Sequence, residues 1–125
     1  MKRLGIFVFG AALFLLGSGC AILTDGVYDT EEPKQAPTAL YNQAFARYQA
    51  RNYEEAKPLF QQYIGQYPDS VLYKVALYYL AHCDQMLGEL KEAEMFYSRI
   101  VDTYGEDDFW GAQAMKRIKQ LREVQ

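Results

Sequence analysis

The chain reads as all-α: antiparallel helix pairs stacked as a short solenoid, two pairs closed by one further helix. Three observations predict this. Tyr53-Glu54-Glu55-Ala56-Lys57-Pro58-Leu59-Phe60 returns 37 positions later (53 to 90) as Leu90-Lys91-Glu92-Ala93-Glu94-Met95-Phe96-Tyr97, and the same shift pairs Leu40 with Leu77, Tyr41 with Tyr78, Ala44 with Ala81 and Ile64 with Val101. Apolar residues recur at helix spacing in both copies: Tyr53, Ala56, Phe60, Tyr63 and Ile64, then Leu90, Ala93, Tyr97, Ile100 and Val101. No β-rich run competes with them. Self-similarity at such a period means stacked supersecondary units, and units of this kind leave surfaces that bind other chains.

Five helices are expected. Thr38 can cap the first, which runs to about Ala50. Asn52 followed three residues on by Glu55 resembles a capping box, and Glu54 and Glu55 sit at the positive end of the second helix dipole. That helix reaches about Gln66, with a mild kink expected where Pro58 removes a backbone donor. Pro68-Asp69-Ser70 breaks the chain and offers a cap for the third, which ends near Leu87 with Gly88 as its terminal glycine. The fourth spans Leu90 to Tyr104 and stops at Gly105; the fifth begins at Asp107 or Asp108 and reaches Arg122 or beyond. Trp110, Ala114, Ile118 and Leu121 share a narrow arc of that last helix, leaving Lys116, Lys119 and Glu123 behind.

The first residues have another purpose. Lys2 and Arg3 precede an uncharged stretch from Leu4 to Leu16, and Leu16-Gly17-Ser18-Gly19-Cys20 follows. A short basic start, an apolar run and a small-residue exit are the parts of a secretory signal. With a cysteine directly after Gly19, the segment resembles a bacterial lipoprotein signal, which implies acylation of Cys20 as the mature N-terminus. An uncleaved anchor and plain cleavage are the alternatives, because Leu4 to Thr24 is free of charge and about 20 apolar residues span a bilayer. Each acyl methylene contributes about 0.8 kcal/mol, so several chains hold a protein on a membrane durably. Ala21 follows Cys20 in place of the Asp that retains such lipoproteins on the inner membrane, so the resemblance implies the outer membrane, facing the periplasm. The expected organisation is a signal over 1–19, an acylated cysteine and flexible tether over 20–37, and a helical domain over 38–123. The acidic, proline-bearing tether lacks any apolar period.

Composition narrows the function classes. Thirteen Lys and Arg stand against 16 Asp and Glu. Nucleic acid is an improbable partner without a positive face to release counterions. Of two cysteines, Cys20 is expected to be acylated, which leaves Cys83 without a partner inside the chain.

The repeats themselves resemble tetratricopeptide repeats. The residues that carry the likeness are Ala44 and Ala81 in the leading helices, Arg51 and Gly88 at the turns, Ala56 and Ala93 with Phe60 and Tyr97 in the trailing helices, and Pro68. The family period of about 34 residues is shorter, so a slightly lengthened leading helix is expected. Tyr67-Pro68-Asp69-Ser70 after an aromatic-rich helix is similar to the envelope subgroup of the BamD and YbgF types. The likeness implies that the leading helices line a concave face binding a peptide or helix of another envelope protein. Carried across by position, that face holds Tyr41, Phe45, Tyr48 and Gln49, then Tyr78, His82, Gln85 and Met86, continued by Met115, Lys119 and Arg122. Packing between repeats is the alternative role for Tyr41, Phe45 and Tyr78. The Trp110 stripe serves as a lid on the second pair or, alternatively, as a docking edge for another protein or a second copy.

Chemistry finds little support. His82, Cys83 and Asp84 are adjacent, but consecutive helical residues point about 100° apart and do not converge on one ion. Cys83 reads as a buried structural thiol. Glu54-Glu55 and Asp107-Asp108 are better explained as helix caps than as paired catalytic carboxylates. No enzyme, metal or cofactor is expected beyond lipid on Cys20. The alternative of another class is a periplasmic accessory or metal-handling protein using His82.

Overall fold

The structure, a computed structural model, describes residues 36–125; the signal, Cys20 and most of the tether lie outside the described residues. Five helices follow in order: α1 (Pro37–Gln49), α2 (Tyr53–Gln66), α3 (Tyr73–Met86), α4 (Leu90–Tyr104) and α5 (Phe109–Val124). Among the described residues there is no strand, and no helix is long and apolar enough to cross a membrane. Each helix packs on its neighbours in sequence. The leading helices also touch one another, α1 on α3 and α3 on α5, whereas α2 and α4 do not. Contact on one side and separation on the other bend the stack around the α1–α3–α5 layer, which is its inner face.

Local chemistry sets most boundaries. Asn52 Oδ1 accepts the Glu55 N–H at 3.3 Å, so the α2 cap forms as expected, and the helix runs on through Pro58. Asp108 caps α5, its Oδ1 accepting the N–H groups of Trp110 at 2.9 Å and Gly111 at 3.3 Å. Lys74 of α3 pairs with the same carboxylate, tying one leading helix to the start of the next. Two expected caps differ. Pro37 opens α1 after Ala36, and Thr38 lies inside the first turn; proline suits that position because its missing N–H has no intrahelical acceptor there. Ser70 shapes the turn ahead of α3 rather than capping the helix: its Oγ accepts the Leu72 N–H at 3.2 Å and shares a 2.6 Å hydrogen bond with the Tyr63 hydroxyl. Nor do the leading helices carry the extra length. At 13 and 14 residues they are no longer than the trailing helices at 14 and 15. The long connection is Tyr67–Leu72, against the tight turns Ala50–Asn52 and Leu87–Glu89.

The backbone repeats with the sequence. Arg51 at φ 60° and Gly88 at φ 83° occupy the same left-handed turn position in successive pairs. Glycine adopts it freely, whereas a side chain there costs about 1 kcal/mol. Between the layers, Phe60, Tyr63, Leu77, Leu80, Tyr97 and Ile100 are wholly buried. Gly111 at the start of α5 lies against the Gly105 carbonyl, where a Cβ would sit only 1.8 Å from the oxygen.

One charge is wholly buried. Asp84 on α3 has no solvent exposure, and Lys57 Nζ on α2 stands 2.8 Å from its Oδ1 while also pairing with Glu89. The ammonium lies off the line of a good hydrogen bond, so neither Asp84 oxygen is satisfied by a directed donor among the described residues. Burial raises the Asp84 carboxyl above its ordinary range despite Lys57, whereas the Asp84 and Glu89 carboxylates hold the Lys57 amine up at about 12.

Removing Lys57 alone strands a buried carboxylate. Lys57→Met is expected to cost about 3 kcal/mol, the lower end of the range for breaking a buried pair because Lys57 still reaches solvent. Lys57→Met with Asp84→Leu should recover most of that loss in denaturant melts. Arg51→Gly relieves the left-handed turn and should raise stability by about 0.5–1 kcal/mol in the same assay.

Candidate partner-binding face

The inner layer carries a continuous row of rings. On α1, Tyr41, Phe45 and Tyr48 stack in sequence with centroids 6.0 Å apart at each step, as residues three and four apart on one helix must. Tyr79 of α3 joins them, 5.1 Å from Phe45 and 4.7 Å from Tyr48. Trp110 of α5 continues the row, 5.9 Å from Tyr79 and 5.1 Å from Tyr78. Tyr41, Phe45, Tyr48, Tyr79 and Trp110 are all partly exposed, so each ring has one side in the core and one toward solvent.

Two polar links cross this layer, and a third ties it to α4. The Tyr48 hydroxyl lies 2.6 Å from His82 Nδ1. Tyr97 donates to Gln85 Oε1 at 3.0 Å, and Arg117 Nε donates to the Tyr78 hydroxyl at 3.1 Å. Burial, and then the nearby Arg117 guanidinium, lower the His82 pKa and keep its imidazole neutral at pH 7. Burial holds the Tyr48 phenol up at about 12. Between a protonated phenol and a neutral imidazole the bond is a neutral one, in which either Tyr48 donates to Nδ1 or Nδ1–H donates to the hydroxyl, according to the ring tautomer.

The expected face residues separate by depth. Phe45, Tyr48, Tyr41 and His82 lie half-buried on the inner layer, with Gln49 and Met86 exposed beside them. Tyr78 is only 7% exposed and packs against Tyr97 and Trp110, so packing is its role. Gln85 is occupied by Tyr97 and Arg122 by Glu94, at 2.7 Å; Met115 is half-buried, and Lys119 is exposed. Tyr79 was not foreseen, yet it had a signal: with His82 and Met86 it makes the spacing i, i+3, i+7, which defines one helical stripe. Arg117 was not foreseen either, and nothing in its local sequence marks it.

His82, Cys83 and Asp84 diverge, the first to Tyr48, the second into the core and the third to Lys57. Burial pushes the Cys83 thiol up to about 12, which makes it a poor nucleophile. Among the described residues, no group of three or more His, Cys, Asp or Glu side chains comes together to hold an ion.

A sequence model described as tetratricopeptide repeat matches residues 47–116, more than half of the chain. No curated protein matches it.

The rings fix a pH response. Folded Tyr41 and Tyr48 titrate at about 12 instead of 10.0, and Tyr79 and Tyr97 are raised by burial as well. A raised folded pKa gives stability that is complete below the unfolded value and is lost as pH rises through the folded one. Melting temperature should therefore hold from neutrality to about pH 10 and fall across about pH 10 to 12. The share of tyrosinate absorbance that is lost in Tyr→Phe variants at these four positions should appear together with unfolding; ionisation of these rings in a still-folded protein would contradict their burial.

Proposed function

The chain belongs to the tetratricopeptide repeat family, whose repeats mediate protein–protein interaction, and on that premise we propose that it is a membrane-tethered scaffold of the bacterial envelope. In this reading, acyl chains on Cys20 hold it at the outer membrane, facing the periplasm, and the α1–α3–α5 layer grips a peptide or helical segment of another envelope protein. The process served is outer-membrane protein assembly, envelope coordination, or secretion and pilus assembly. The protein acts by holding its partner and performs no catalysis.

The observation that carries the binding role is the partly exposed row of rings from Tyr41 to Trp110. Aromatic side chains supply broad contact area with few rotors to freeze, and a tyrosine hydroxyl adds a hydrogen bond at the edge. Met86, 51% exposed beside them, adds an adaptable apolar contact. The bend puts this row on the inside, where a slender ligand meets several helices at once. Support for the tether is the run Leu16-Gly17-Ser18-Gly19-Cys20 after an apolar stretch.

A photo-crosslinking residue at Met86 should trap one envelope protein in living cells, whereas the same residue at Gln62, exposed on α2, should not. Cys20→Ser should move the protein from the membrane fraction to the soluble fraction. Equal adducts from both positions would refute the inner-face role. Undiminished membrane retention after Cys20→Ser would refute acylation.

A further inference from the structure

The rings of the inner layer hold donors that the protein itself does not use. The hydroxyls of Tyr41 and Tyr79 and the indole N–H of Trp110 have no hydrogen-bond partner among the described residues, although each ring is partly covered. A covered phenol or indole ordinarily finds an acceptor. Burial holds the Tyr41 phenol up at about 12 and raises that of Tyr79, so both keep their protons at neutral pH. The hydroxyl of Tyr48, by contrast, is engaged by His82 at 2.6 Å, and that of Tyr78 by Arg117 at 3.1 Å.

The same layer is short of acceptors. α1 contains no acidic residue; the one acid of α3, Asp84, is buried against Lys57; the one acid of α5, Glu123, stands next to the last residue of the helix. Gln85 Oε1 is already taken by Tyr97. Basic residues outnumber acids on these three helices, so the layer is electropositive although the chain as a whole is acidic. Donors without acceptors discriminate between ligand backbones. A helix has spent its carbonyls within itself. An extended strand brings an N–H for every carbonyl, and this surface has few acceptors for them. A polyproline II segment built of proline presents carbonyls and no N–H, and none of those carbonyls is used internally. Their negative ends complement the sign of the layer. Shape agrees. The rings of Tyr41, Phe45 and Tyr48 are nearly parallel, at 12° and 13°, whereas Tyr79 stands at 58° to both Phe45 and Tyr48. Apolar surfaces turned at such different angles suit a ligand of about three residues per turn, whose pyrrolidine faces rotate by about 120° at each step.

Resting on the binding role given above, we propose that the partner segment is a proline-rich stretch in the polyproline II conformation, its rings lying on Phe45 and Tyr48 and its carbonyls accepting hydrogen bonds from the Tyr41 and Tyr79 hydroxyls and the Trp110 indole. Such a ligand is already extended and stiff when free. Little conformational freedom is lost on docking, so a small face suffices to hold it. Selectivity comes from the hydroxyls and the indole, because the ring faces alone accept any apolar segment.

The test uses the full chain in detergent and three peptides, each acetylated and amidated: nonaproline, an alternation of Ser and Val of the same length, and an amphipathic helix of repeated Glu-Ala-Leu-Ala-Lys. Nuclear magnetic resonance follows the Trp110 indole N–H and the ring signals of Tyr41, Phe45 and Tyr79. Nonaproline should move all of them and bind more tightly than the other two. Tyr41→Phe combined with Tyr79→Phe removes both hydroxyls and keeps the rings; it should weaken nonaproline roughly tenfold, the share of affinity of two neutral hydrogen bonds. Nonaproline that binds this variant as tightly as the wild type would overturn the hydrogen-bonded mode and the proposal with it. A helical or Ser-Val peptide that moves the rings and binds at least as tightly as nonaproline would overturn proline as the ligand and leave the binding face standing. Ring signals that respond to no probe would overturn both the proposal and the binding face beneath it. The ranking of the three peptides by the wild-type protein serves as a test even if the variant fails to fold.

Discussion

Alanine sets the distances in this molecule. Ala44, Ala56, Ala76, Ala81, Ala93 and Ala114 are all wholly buried, at least one on every helix. A methyl group lets two backbones approach closely, packs without loss of rotamer freedom, and favours the helix it sits in. Where helices meet over alanine, large side chains must lie to either side of the contact. Phe60, Tyr63 and Tyr97 fill the space between layers, while Tyr41, Phe45, Tyr48, Tyr79 and Trp110 stay partly covered on the inner layer. The aromatic face thus arises from the same requirement that brings the leading helices together.

Few repeats make this face consequential. Three or more units are normally needed to bury a continuous core, and here two pairs are closed by a single helix. α5 compensates by several links at once: Trp110 meets the tyrosines of α3, Asp108 holds Lys74, and Arg117 holds Tyr78. Gly111 allows its backbone to lie on the Gly105 carbonyl. The last helix is therefore both a lid and the third strip of the inner layer. A closing helix that also contributes polar side chains to the face can decide what the face accepts.

The polar groups follow the same register with different outcomes. Asp84 is buried against Lys57, where burial and charge pairing oppose each other. That pair fixes α3 against α2 in one alignment. It holds by charge more than by directed hydrogen bonds, so it contributes more to register than to stability. Tyr48 and His82 join α1 to α3 in a similar way, by one short bond between half-buried groups. The neighbours of His82-Cys83-Asp84 explain why three adjacent candidate ligands act separately: each points to a different helix or into the core.

Much of the architecture was legible in the sequence because local rules govern it. The repeat, the helical spacing, the Asn52 cap and the Gly88 and Gly105 stops depend on residues within a few positions of one another, and the helices form where those rules place them. The family likeness read from Ala44, Ala56, Phe60, Ala81 and Ala93 agrees with the matched family. Legibility ended where a residue's role depends on a distant partner. Tyr78 and Tyr79 are adjacent and chemically identical, yet one is sunk against Tyr97 and the other faces Phe45 and Tyr48; only the packing of α3 between α1 and α5 separates them. Ser70 turned to Tyr63 instead of capping α3, and Arg117 reached back to the Tyr78 hydroxyl of α3. By itself the sequence determined which segments are helical and how often they recur, since those choices are settled by near neighbours; which side chains are left exposed, charged and unpaired was decided by tertiary contacts between helices far apart in the chain.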